Sequence, residues 1–110
     1  MGGDMTHNPH LQTLKISVKV LEKLASKHQV SRREVEQCFE NRDGPLLMDT
    51  REEHRSDPPT LWFLSETNRG RLLKVVYIQR GEEIHLRTCY EPNPVEIAIY
   101  QRARDQRNPS

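Results

Sequence analysis

Apolar residues gather in a few stretches of this chain, and the densest of them is Thr60–Tyr90. There they form three runs, broken at Asn68-Arg69-Gly70 and again at Arg80-Gly81. Trp62, Phe63, Tyr77 and Tyr90 fall inside it, with the β-branched Val75, Val76, Ile78 and Ile84, which suits a pleated, half-buried surface. The pattern predicts three antiparallel strands joined by tight turns, with Gly70 in the left-handed position of the first. Shorter apolar pieces at Leu11–Ile16 and Leu46–Met48 read as an edge strand and a brief extra strand.

Helical spacing appears on either side. Ser17 is a candidate N-cap for a helix that places Val18, Leu21, Leu24, Ala25 and His28 on one face. Lys15, Lys19, Lys23 and Lys27 recur every four residues beside that face. Ser31-Arg32-Arg33-Glu34 is a capping box opening a second helix with the stripe Val35, Cys38 and Phe39, and Val30 is placed to staple its start. Asn93, Pro94 and Glu96 supply the cap, first position and capping carboxylate of a last helix, with Val95, Ile99 and Arg102 as its expected stripe. The result is an α+β domain over 11–104. A small antiparallel sheet of three to four strands packs on two N-terminal helices and one C-terminal helix, with tails at 1–10 and 105–110.

Hairpin parity separates the sheet into two faces. Leu61, Phe63, Leu73, Val75, Tyr77, Ile84 and Leu86 share one, the core face that the helices should cover. Trp62, Leu64, Glu66, Lys74, Val76, Ile78, His85, Arg87 and Cys89 share the other. There Lys74 interrupts an apolar strand and is expected beside Arg87, His85 and Trp62. Cations beside a ring suit phosphates and bases. Spacing alone favours the simpler reading, a half-buried face whose long side chains keep their heads in water.

Charge alters this picture little. The net charge is +1, but residues 15–37 carry six Lys/Arg against three Glu, and residues 40–58 carry three Arg against six acids. The polar stretch from Asp49 to Pro59 reads as a connector; Asp49, Arg51, His54 and Arg55 in it have acid–base or phosphate-binding side chains, with no spacing that selects among them. His7 and His10 lack a third nearby ligand, so no metal site is expected. Cys38 and Cys89 are expected as free thiols in a reducing, cytoplasmic compartment. No apolar run reaches the ~20 residues a membrane span needs. The loose myristoylation pattern at Met1–Thr6 lacks the polybasic second anchor, so no membrane attachment is expected.

Several short motifs together resemble a known family. They are Lys27-His28 followed by Val30, the helix ending near Phe39, the run Arg69-Gly70-Arg71-Leu72-Leu73-Lys74-Val75-Val76-Tyr77, the strand Ile84-His85-Leu86-Arg87-Thr88, and Tyr100-Gln101-Arg102. Over roughly Leu11–Arg104 the chain resembles the BrnT family of small bacterial toxins, which share a compact α+β fold with RelE-type ribonucleases. The resemblance implies a metal-independent, cofactor-free RNase of a toxin–antitoxin pair, with RNA and a small antitoxin as partners. Matching residue types carry over to Lys27, His28, Lys74, Arg87 and Arg102. One departure stands out: Cys89-Tyr90-Glu91-Pro92 replaces the basic Ala-Arg-Arg-Ala-type segment of such chains. Chains with this Tyr-Glu-Pro step and the Asp57–Phe63 lead-in are often labelled ADP-ribosyl-(dinitrogen reductase) hydrolases. The metal-dependent enzymes of that activity are larger helical proteins with paired acidic ligands that this sequence lacks.

Two main functions therefore compete. As a ribonuclease, the chain would use His28, His54, Lys74, His85 and Arg87 in catalysis, a histidine serving as acid or base. Lys27, Trp62, Lys74, Arg87 and Arg102 would bind the nucleic acid. As a non-catalytic module on the same scaffold, it would bind a partner and cleave nothing.

Overall fold

The computed structural model describes residues 13–50 and 58–107. The tail at 1–10, His54 and the rest of 51–57, and residues 108–110 lie outside that range. The elements in order are β1 (Thr13–Lys15), α1 (Val18–Lys23) continuing into a π-helical turn (Leu24–His28), α2 (Arg32–Asn41), β2 (Leu47–Met48), β3 (Thr60–Glu66), β4 (Leu72–Arg80), β5 (Glu83–Tyr90) and α3 (Pro94–Arg107). The strands form one sheet in the order β1-β5-β4-β3-β2. Its centre is the expected antiparallel meander. It has five strands and is mixed, because β1 runs parallel to β5 before the chain turns into α1.

The local chemistry follows the sequence closely. Ser17 caps α1 by accepting from the Val20 amide, and Ser31 and Glu34 form the capping box of α2. Gly70 (φ 83) and Gly81 (φ 62) take the left-handed turn positions, which cost a residue without Cβ little. The end of α1 departs from regular helix. Gln29 takes φ 52 there, the Val30 amide closes onto the Leu24 carbonyl at 3.0 Å, and Leu24 and Val30 are both buried. The helix thereby turns its last residues inward at the cost of one strained backbone position.

The first face holds the main core, as expected. Phe63, Leu73 and Val75 are fully buried among Leu24, Val35 and Cys38 from the helices, and Phe39 packs edge-on against both Phe63 and Tyr77. One residue changes sides. Val76 pairs with Thr88, but Tyr77 pairs with Leu86, so Arg87 is an unpaired bulge residue. A bulge reverses side-chain parity beyond it. Cys89 therefore lies opposite Val75 in the core, fully buried, and Thr88 and Tyr90 take the other face. Burial pushes the Cys38 thiol up to about 12 and the Cys89 thiol higher still; both are free and unreactive as thiolates.

The second face is covered too, against expectation. Trp62 and Leu64 need shelter, and α3 supplies it: the Tyr100 ring lies 5.8 Å from that of Trp62, and Trp62 is only 8% exposed. The buried stripe of α3 is Glu96 and Tyr100 with Ala103, while Val95, Ile99 and Arg102 face outward. Helical order also runs to Arg107, beyond the boundary expected at Arg104. Among the described residues, no helix is long and apolar enough to cross a membrane.

Candidate functional site

Lys74 sits at the middle of the second face. It projects from the apolar strand β4 into a ring-lined recess, with Nζ 4.5 Å from the Trp62 ring centre and 5.6 Å from that of Tyr90. A buried ammonium requires a counter-charge, and Glu96 at the start of α3 provides it. Lys74 Nζ donates to Glu96 Oε2 at 2.7 Å, and Tyr90 Oη donates to the same oxygen at 2.9 Å. The other oxygen, Oε1, accepts from the Asn93 amide at 3.0 Å, and Asn93 Oδ1 in turn accepts from the Glu96 amide. The capping box read from the sequence is thus half of a larger joint, in which one carboxylate caps its helix and neutralises the sheet's lysine.

Electrostatics agree with that geometry. Burial raises the Tyr90 phenol, and donation to Glu96 raises it further, so it remains a donor. Burial works against the Glu96 charge, but Lys74, the Asn93 amide and Tyr90 together outweigh it and leave its carboxyl below the ordinary value of 4.5. Glu34 behaves alike: burial opposes its charge, and the Ser31 amide and Arg71 more than compensate. A carboxyl whose folded pKa is depressed stabilises the fold above its unfolded pKa, and that contribution is lost as pH falls through the folded pKa. Stability should therefore be level near neutrality and decline below about pH 4.5. Unfolding curves between pH 7 and pH 3 check this, and in Glu96→Gln the acid decline should be shallower.

The residues expected to share this site do not stay together. Lys74 and Trp62 are in contact, and the His28 ring joins them through Tyr90, at 5.5 Å between ring centres. His85 does not reach them. It pairs with Ile78, four residues along β4 from Lys74 or ~13 Å, and its Nε2 lies 2.9 Å from Glu83 Oε1. Arg87 is exposed on the bulge. Lys27 is exposed beside His28, and Arg102 is exposed on α3 about 200° round the helix from Tyr100. The expected company of Lys74, His85 and Arg87 is not formed, because the side-chain alternation that places residues on one face does not place them at one height.

Two structural groups escaped sequence reasoning. Arg71 is a hub: Nε donates to Glu91, Nη1 to Glu34 and the Gln29 carbonyl, and Nη2 to the His28 carbonyl. It closes the end of the π-turn and ties it to the hairpin. Tyr100 is the second, its hydroxyl donating to the Pro45 carbonyl at 2.6 Å and facing the Leu64 amide. An open cleft of about 430 Å³ lies beside it between α3 and the end of α2, bordered by Asn41, Asp43, Glu66 and Arg104. None of the described candidate residues lines it. Among the described residues, no group of three His, Cys, Asp or Glu stands close enough to hold a metal ion. No family model matches this chain, and no curated protein matches it.

Proposed function

We propose that this chain acts by binding a partner, as a non-catalytic module, and does not cleave RNA. The observation that carries this is the state of Lys74. Its side chain is 10% exposed, and its charge is met by Glu96 at 2.7 Å, so the fold itself uses the cation that a nuclease would need to present to phosphate. The substitution of Cys89-Tyr90-Glu91 for a basic segment has the same tendency, since Tyr90 donates to the Glu96 oxygen that holds Lys74 and Glu91 engages Arg71.

The toxin-type ribonuclease suggested by the BrnT resemblance is the second reading. One observation favours it: the half-buried His28 ring lies beside Tyr90 at the rim of the cluster, with Lys27 exposed next to it, an arrangement of base and cation suited to RNA. The test is direct. Purified full-length protein incubated with a mixed mRNA pool in EDTA should leave transcript lengths unchanged, and induced expression should leave growth rate unchanged. Shortened transcripts that become intact again with His28→Ala would establish the nuclease in its place.

A further inference from the structure

The cations of the described residues divide by whether their side chains are engaged. Arg32, Arg33, Arg71, Lys74 and Arg104 each meet a carboxylate, and Arg42 meets the Gly44 carbonyl. Arg69, Arg80, Arg87 and Arg102 are exposed and meet no carboxylate among the described residues, but they are scattered over the sheet and the last helix. Lys19, Lys23 and Lys27 on the first helix, with Lys15 just before it, are all exposed and engage no carboxylate among the described residues. On a continuous α-helix a row spaced by four drifts about 40° per step, which would carry Lys27 some ~80° away from Lys19. Here the wider π-turn at Leu24–His28 turns the backbone less per residue and offsets that drift. The three lysines are therefore attached within about 40° of one line along the helix, Lys19 and Lys23 about 6 Å apart along its axis. Glu22, the one carboxylate of this helix, lies about 60° to one side of the file.

We propose that this file is a contact surface for the phosphate backbone of a nucleic acid, with no base readout. The proposal rests on the binding-module reading and gives it a partner. A regular line of unpaired point charges matches a regular line of phosphates. A membrane surface fits less well, because Leu24 is buried and Val20 half-buried against the domain. The helix therefore cannot roll to insert a broad apolar face, and of its large apolar residues only Val18 and Leu21 stand exposed beside the lysines.

The test is fluorescence anisotropy of full-length protein with labelled single-stranded RNA and duplex DNA of arbitrary sequence, across a salt series. Three contacts predict a slope of log K against log salt of about −2 on the single strand and about −2.7 on the duplex. The triple variant Lys19→Gln, Lys23→Gln, Lys27→Gln should lose at least about tenfold in affinity and most of that slope. Arg69→Gln with Arg80→Gln, which removes two exposed turn cations, should change neither. Trp62 fluorescence confirms that each variant is folded. Wild-type protein that fails to bind either nucleic acid overturns the proposal. So does a triple variant that binds as wild type, or a file that matters only for vesicles containing anionic lipid. None of these outcomes touches the binding-module reading, which fails only if RNA is shortened in EDTA.

Discussion

Lys74→Ala is expected to destabilise the protein by about 3 kcal/mol. The lysine and its partner are 10% and 16% exposed at the side chain, so deletion leaves the Glu96 carboxylate in a poorly hydrated recess with only Tyr90 and the Asn93 amide as donors. The ammonium's attraction to the Trp62 ring, worth ~1 kcal/mol at a partly desolvated site, is lost with it. Urea unfolding followed by Trp62 emission measures the effect, since that ring reports directly on the recess. The same substitution separates the two functions. If Lys74 is internal to the fold, the variant loses stability while binding by any outer surface persists at temperatures where it remains folded.

The second large effect is expected at Gly44. A Cβ there would stand 2.5 Å from the Tyr100 hydroxyl and about 3 Å from two ring atoms. Tyr100 cannot give way cheaply: it is 3% exposed, packs on Trp62 and holds the Pro45 carbonyl at 2.6 Å. Gly44→Ala should cost about 2–3 kcal/mol, the overpacking penalty plus the hydrogen bond displaced. It should also loosen α3 selectively, seen as faster amide exchange across Pro94–Arg107 than across β4. Tyr100→Phe removes the atom that clashes most closely and should cost ~1 kcal/mol alone. The two changes share a contact, so Gly44→Ala should cost less in the Tyr100→Phe background than in the wild type.

What could be read from the sequence was local. Ser31 and Glu34, Asn93 and Glu96, Gly70 and Gly81 announce caps and turns because their chemistry acts within a few residues. The core face followed from side-chain alternation and held as far as Leu86. It failed at Cys89 because a bulge at Arg87 depends on what the partner strand does, which no local pattern records. The candidate site failed for a similar reason. Lys74 was recognised as anomalous in an apolar strand, but an anomalous buried cation is also a demand for a carboxylate. Glu96 was already in view as a cap, yet its second role depends on α3 crossing the sheet. Val95 and Ile99 have the spacing of a buried stripe yet face outward, because that crossing decides which side of α3 is covered. Arg71 closes a helix end 42 residues earlier in the chain, a contact that no local pattern announces.

Whether Lys74 and Glu96 are partners within the fold is decided by a double-mutant cycle on that pair. Unfolding free energies are compared for wild type, Lys74→Met, Glu96→Gln and the double variant, all read by Trp62 fluorescence at neutral pH. A buried, mutually satisfied pair should give a coupling energy of about 2 kcal/mol, with the double variant more stable than Lys74→Met alone. A coupling near zero, with each single change costing under ~0.5 kcal/mol, would mean that Lys74 is held free on the sheet and available to a ligand.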